Sequence, residues 1–300
     1  MRLLITGAFS PSEEQLNILR QGNELVIMPD ERGKLPCPAS TIEGVICNGL
    51  FLYHDIEEFT SLKLIQLTSA GLDRVPIEKI KEKGISLFNA GGVYSLPMAE
   101  WALTGVLCLY KQVRCFLRNQ DSKKWEKQRQ IFELFGKSVL IIGCGSVGRE
   151  CARLFSQIGT SVRGVDLFPC ECEPFEKISP VSELYSELER ADVVILALPL
   201  TEKTRHIIDK NALAHTKKGA VLVNISRGGV LDTEALIDML KGHLGGAVLD
   251  VFESEPLGVD SPLWEMDNVI ITPHNSFVGE ENGERLWKAI CENLSKGRKE

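Results

Sequence analysis

Three stretches of this chain carry side chains able to grip a carboxylate and move a proton. Each follows a run of apolar, β-branched residues. Arg227 lies in Asn224-Ile-Ser-Arg-Gly-Gly229, two glutamates lie in Asp250-Val-Phe-Glu-Ser-Glu-Pro256, and His274 lies in Thr272-Pro-His-Asn-Ser276. An arginine can hold a 2-keto carboxylate by a planar two-point contact and polarise the neighbouring carbonyl. A histidine can pass a proton to or from an alcohol oxygen. A carboxylate partner would fix the ring's orientation and favour its charged form. On spacing alone, Glu253 and Glu255 are equal candidates for that partner.

A fourth stretch provides a place for a hydride carrier. The apolar run from Ser138 ends in Gly143-Cys144-Gly145-Ser146-Val147-Gly148; a helical pattern follows, and a second apolar run closes on Asp166. Strand, glycine turn, helix and strand ending in an acid is the order a dinucleotide site needs. Gly143 permits the tight turn, Gly145 leaves bare backbone for a pyrophosphate, and Gly148 lets helix and sheet pack closely. The N–H groups that open the helix, at Ser146 and Val147, face the phosphates with a partial positive charge. Asp166 would accept hydrogen bonds from the ribose hydroxyls and repel a 2′-phosphate, and no arginine follows it in Leu167-Phe-Pro169. The expected cofactor is therefore NAD.

Strands must end side by side to bring these sites together, and the apolar pattern supplies them. Residues 3–5, 25–28, 44–47, 64–67 and 85–88 read as strands, with helices over 13–20 and 77–83. Pro97 opens a long apolar helix expected over 98–117, followed by a polar segment through residue 130. Further strands are expected over 192–198, 220–224, 246–250 and 268–272, and helices over 232–240 and 280–293. Short strands alternating with helices imply parallel sheets. The fold class is α/β, with two doubly wound parallel-sheet domains joined near Pro97 and Pro273. Residues 97–274 form a Rossmann dinucleotide-binding domain; residues 1–96 with 275–300 form a discontinuous, flavodoxin-like domain for substrate, to which the last helix returns.

Bulk properties exclude other classes. The 300 residues are 44% hydrophobic and 25% charged, with net charge −7 and no basic cluster, which argues against a nucleic-acid partner. No apolar run approaches the roughly 18 residues needed to span a bilayer. The N-terminus reads as a strand rather than a signal peptide, and residues 296–300 as a solvated charged end. The nine cysteines are odd in number and scattered, which suits reduced thiols in a cytoplasmic protein. Cys170 and Cys172 form a CxC without a second pair at zinc-ligand spacing, so no metal is expected. His54, His206, His215 and His243 read as surface or local packing residues.

Together these motifs resemble the D-isomer-specific 2-hydroxyacid dehydrogenase family, with phosphoglycerate dehydrogenase-like members. The resemblance runs from about Leu62 to Trp287. It rests on Leu67-Thr-Ser-Ala-Gly-Leu-Asp73, Asn89-Ala-Gly-Gly-Val-Tyr-Ser95 with Ala99-Glu100, and the glycine turn. It continues through Leu198-Pro-Leu-Thr201 with Thr204, residues 224–229 and 249–256, and Ile271-Thr-Pro-His274. It implies Arg227, Glu255 and His274 as the catalytic set, Glu255 because it directly precedes the family's proline. It implies that Ile225, Ser226, Asp250 and Ser276 line the nicotinamide pocket together with Arg227 and His274. Leu198, Pro199 and Thr204 would line the rest of the cofactor. Backbone N–H groups of Ala70 and Gly71 would hold the substrate carboxylate, and Tyr94 would reach the substrate pocket.

Departures from the family pattern bear on the substrate. Phosphoglycerate-specific relatives tend to carry an arginine after the strand matching residues 44–47, whereas this chain reads Asn48-Gly-Leu-Phe-Leu-Tyr53. Phe277 stands where many members have small residues, and a C-terminal regulatory extension is not expected. The reading is an NAD-dependent reductase of a small, unphosphorylated 2-keto acid, working as a homodimer through residues 98–136. A phosphoglycerate- or hydroxypyruvate-type dehydrogenase is the alternative within the class. A non-catalytic NADH-sensing binding protein is the alternative outside it.

Overall fold

The computed structural model describes residues 1–297; residues 298–300 of the charged end lie outside them. The chain forms two compact units, residues 1–94 with 280–297, and residues 95–279. Strands form where β-branched and aliphatic residues run together, because a parallel sheet covered on both faces has no polar side.

The first unit contains β1 (Arg2–Thr6), α1 (Glu13–Arg20), β2 (Glu24–Met28), β3 (Gly44–Cys47), β4 (Leu64–Leu67), α2 (Ile77–Glu82) and β5 (Ser86–Phe88). Its five parallel strands run β2-β1-β3-β4-β5, reversing direction of assembly between β1 and β3. Ser12 and Gln15 form a reciprocal cap that starts α1.

The second unit opens with α3 (Ser95–Tyr110) and α4 (Val113–Asp121). It continues with β6 (Ser138–Ile142), α5 (Ser146–Gln157), β7 (Ser161–Asp166), β8 (Lys177–Pro180), α6 (Leu184–Leu188), β9 (Val193–Leu196) and α7 (Lys210–Ala214). It closes with β10 (Val221–Asn224), α8 (Thr233–Leu240), β11 (Gly246–Leu249) and β12 (Val269–Ile271). Seven parallel strands run β12-β11-β10-β9-β6-β7-β8, with the switch point between β6 and β9. Both sheets are thus doubly wound, and the second has the dinucleotide-binding order. The chain then returns to the first unit as α9 (Asn282–Lys296), whose Leu286, Ile290 and Leu294 pack with Leu3, Ile5 and Leu19.

Several elements differ from the sequence expectation, the short helices α6 and α7 among them. The single helix expected over 98–117 is broken: Gln112 takes the left-handed conformation (φ 57°), and α4 starts afresh. The new direction is held by Arg114, which donates to the carbonyls of Trp264, Met266 and Val269, and by the Arg118–Asp267 ion pair. β8, unforeseen in the sequence, is an edge strand with two buried residues and a terminal proline. The apolar surplus of α3 also has an internal use. Ala99, Ala102 and Val106 are buried, and a Cβ at Gly105 would lie 2.5 Å from Val248 of β11.

Candidate active site

The glycine turn is shaped by contacts that only a missing side chain permits. Gly143 has φ +95°, and a Cβ there would fall 2.7 Å from the Ala197 carbonyl carbon at the end of β9. A Cβ on Gly148 would lie 2.0 Å from the Gly143 carbonyl oxygen. Gly145 is different: its Cβ direction meets nothing within 4 Å, and it caps α5 without a side-chain hydrogen bond. Gly145 and Ser146 are exposed and Val147 half-buried. This leaves an open face at a helix N-terminus, as a pyrophosphate requires. Asp166 accepts from the Cys144 N–H at 2.7 Å and the Phe168 N–H at 3.0 Å, one bond per oxygen, so each oxygen keeps acceptor capacity for a ribose hydroxyl.

On the other side of the switch point, Leu198 and Pro199 begin a turn fastened by Thr204. Its hydroxyl donates to the Pro199 carbonyl and accepts from the Thr201 N–H, both at 2.7 Å. Thr204 is buried, so the structure ties it to the turn's shape rather than to an exposed surface. Ile225 and Ser226 are buried beyond β10, with the Ser226 N–H and hydroxyl both donating to Asn224 Oδ1.

Arg227, Glu255 and His274 follow the carboxyl ends of the adjacent strands β10, β11 and β12. Asn224 fixes the first turn by donating to the Arg227 carbonyl, and Arg227 Nη1 donates to the Ser226 carbonyl. The carboxylate of Asp250 is fully buried and organises the third. It accepts from the Thr272 hydroxyl (2.6 Å) and the N–H groups of Asn275 (2.8 Å) and Ser276 (3.0 Å), while its carbonyl accepts from the His274 N–H (2.7 Å). These bonds hold His274 at φ +53°, a conformation uncommon for a residue with a side chain and one that gathers at functional sites. His274 Nδ1 lies 2.9 Å from Glu255 Oε2, and the other Glu255 oxygen accepts from the Phe252 N–H at 3.0 Å. Since a carboxylate accepts, Nδ1 donates, and Nε2 is the nitrogen turned to any reacting oxygen. Phe277 meets the imidazole edge-on, ring centres 6.2 Å apart.

Glu253 is occupied elsewhere. Its oxygens meet His206 Nε2 (2.6 Å) and the Thr233 N–H (3.2 Å). Burial opposes its charge, but the hydrogen bonds from Thr233 and His206 outweigh it and hold Glu253 below the usual carboxylate range. The two glutamates that spacing left equal thus serve two different histidines.

In the first unit, Ala70 and Gly71 follow β4, in a loop braced by Asn89 donating to the Ala70 carbonyl and Ser69 to the Gly71 carbonyl. The Tyr94 hydroxyl donates to the Thr68 carbonyl, and burial pushes its phenol up. The loop at 48–53 carries no charge of its own, yet it folds around one. The N–H groups of Asn48 and Gly49 and the Thr6 hydroxyl all donate to the Glu31 carboxylate, each at 2.7 Å. His54 Nε2 meets the Glu31 carbonyl at 3.0 Å, and Arg32 stacks over Tyr53. Glu31 and His206 were invisible as site residues in the sequence; the partners of Glu31 lie 17 to 25 residues away.

Residues 103–276 match the family model of the D-isomer specific 2-hydroxyacid dehydrogenase NAD-binding domain. The chain belongs to that family. It is an NAD-dependent 2-hydroxyacid dehydrogenase, and the open Gly145 face, the uncapped start of α5 and Asp166 together fit the cofactor. Its relatives include an (S)-sulfolactate dehydrogenase of Chromohalobacter salexigens, 34% identical over 80% of this chain and 78% of the relative. A hydroxypyruvate reductase of Thermotoga maritima is 34% identical over 80% and 79%. Among solved structures, a D-isomer specific 2-hydroxyacid dehydrogenase of Xanthobacter autotrophicus, in complex with NADPH and MES, superposes with TM-score 0.80 at 27% identity. That match covers 99% of this chain and 94% of the other. Among the described residues, no His, Cys, Asp and Glu group is placed to hold a metal, and no helix is long and apolar enough to cross a membrane.

Proposed function

We propose that the chain reduces a small, unphosphorylated 2-keto acid to its D-2-hydroxy acid with NADH. The observation that carries this reading is the His274–Glu255 pair, 2.9 Å apart at the carboxyl edge of a sheet that also bears Arg227. Arg227 grips the substrate carboxylate and draws electron density from the keto group. The bound nicotinamide supplies the hydride. His274 delivers a proton from Nε2 to the carbonyl oxygen, and Glu255, accepting from Nδ1, keeps the ring aimed. Ile225, Ser226, Asp250 and Ser276 shape the nicotinamide end. Asp250 does so by fixing the His274 loop, and Leu198, Pro199 and Thr204 support the middle of the cofactor. The parts proposed for the first unit, the Ala70 and Gly71 N–H groups on the carboxylate and Tyr94 beside the substrate, are carried from the family resemblance.

The loop Asn48-Gly-Leu-Phe-Leu-Tyr53, uncharged where phosphoglycerate-specific relatives tend to carry an arginine, supports an uncharged side group. The N–H groups of Asn48 and Gly49 already serve the Glu31 carboxylate, so those two donors are not open to an anion. A phosphate or sulfonate held without a cation loses on the order of several kcal/mol of hydration that no ion pair returns. Pyruvate, 2-ketobutyrate and 2-ketoisocaproate are therefore expected to outcompete 3-phosphohydroxypyruvate in kcat/KM. A clear win for the phosphorylated acid would reject this substrate class.

We also propose a cytoplasmic homodimer formed through residues 98–136. Support comes from the large apolar side chains exposed there: Phe116, Leu117, Trp125 (99% exposed), Phe132 and Phe135. Large apolar side chains exposed along one segment favour an interaction surface, and a twofold pair is the commonest closed assembly. Light scattering at micromolar concentration is expected to give twice the 33.3 kDa chain mass; a monomer would refute it.

A further inference from the structure

We infer that His206 is a positioning residue for the catalytic pair, acting through Glu253; this rests on the reading of Glu255 and His274 above. His206 sits in the left-handed conformation (φ +48°) in the turn segment between β9 and α7. Its N–H donates at 2.9 Å to the carbonyl of Gly229, two residues beyond Arg227. Its ring donates from Nε2 to Glu253 Oε1 at 2.6 Å, since a carboxylate only accepts. The other Glu253 oxygen takes the N–H of Thr233, the first residue of α8. One residue, through its backbone N–H on one side and its ring on the other, thus ties the Arg227 turn to the loop that carries Glu255.

The two loops are also in direct contact. A Cβ on Gly228 would lie 1.9 Å from the Phe252 carbonyl carbon and 2.3 Å from the Glu253 nitrogen, so the Arg227 turn rests on that peptide. The Phe252 N–H then holds Glu255, and Glu255 holds His274. From Gly229 the chain of contacts runs through His206, Glu253 and the 252–253 peptide to the proton donor. As an ion pair it stabilises little, because the side chains of His206 and Glu253 are 41% and 35% exposed. Its consequence is geometric: catalytic groups displaced by an ångström lose up to about 10²-fold in rate.

Steady-state reduction of the best keto acid tests this with His206→Ala, His206→Gln, Glu253→Ala and the double alanine variant. His206→Ala is expected to lower kcat about tenfold while KM for NADH stays within about twofold, because the glycine turn is untouched. His206→Gln, whose amide can donate to Glu253, should return to within about threefold of the parent. The double variant should be no slower than the slower single one, as for two members of one contact. A His206→Ala kcat within about twofold of the parent, glutamine no better than alanine, or losses that multiply would each overturn the inference. Should His206→Ala fail to fold, Glu253→Gln keeps the side-chain bulk and asks the same question; an unchanged kcat there would also overturn it. His274→Gln, run alongside, separates the levels. If it costs nothing, the catalytic reading fails and this inference with it. If it is severe while His206→Ala is silent, only this inference fails.

Discussion

His274→Gln lowers kcat for keto-acid reduction by about 10²-fold or more, with NADH affinity nearly unchanged. Glutamine keeps much of the ring's size and can still donate a hydrogen bond, but it cannot exchange a proton at working pH. The nucleotide loop belongs to β6 and α5, distant in sequence from β12, so binding and proton delivery separate cleanly in kinetics. The loss should sit in kcat because the rest of the His274 loop is held by Asp250, not by the imidazole.

Glu255→Gln gives the companion result. The amide still accepts from Phe252 but no longer presents a charge to His274 Nδ1. The ring then loses the charged acceptor that fixes its orientation, so kcat for reduction should fall by about tenfold or more with NADH affinity nearly unchanged. Glu253→Gln should cost less, because Glu253 faces His206 and Thr233 and reaches the catalytic pair only through the 252–253 peptide. A larger loss in Glu253→Gln than in Glu255→Gln would mean the carboxylates have been assigned the wrong way round.

Features set by neighbouring residues were readable in the chain, and those set by distant ones were not. The glycine turn announces itself because Gly143, Gly145 and Gly148 each answer a local steric demand. Apolar runs such as Val193–Leu196 and Val221–Asn224 announce buried parallel strands because no residue there can face water. The choice between Glu253 and Glu255 has no local signal beyond the family resemblance, and the hydrogen bonds to different histidines arise only once the loop after β11 meets the segments after β9 and β12. Glu31 was unreadable for the same reason. Its three donors come from the ends of β1 and β3, and nothing in the run around it marks a carboxylate that two strand ends share. The break at Gln112 shows the opposite limit: helix propensity runs through it, and long-range hydrogen bonds from Arg114 override it.

The chain should use NADH over NADPH by about 10- to 100-fold in kcat/KM, which corresponds to about 1–3 kcal/mol of repulsion between Asp166 and a 2′-phosphate. The carboxylate cannot swing aside cheaply, since it holds the Cys144 N–H within the glycine turn and the Phe168 N–H beyond β7. One cation does stand nearby, although no arginine follows Asp166 in sequence. Arg149, on α5, donates from Nε to the Cys144 carbonyl at 3.1 Å, and its Nη2 lies 3.9 Å from Cys170 Sγ in the loop after β7. The preference is therefore a contest between a fixed anion and a cation already engaged with the backbone. Asp166→Asn removes the charge while keeping an acceptor for Cys144, so the NADH advantage should shrink to within a few-fold as Arg149 becomes the dominant charge. Adding Arg149→Gln to that variant should then cost NADPH more than NADH, because a dianionic phosphate loses its ion pair and a ribose hydroxyl loses little. Equal use of both cofactors by the parent chain, or no change on Asp166→Asn, would show that Asp166 does not discriminate.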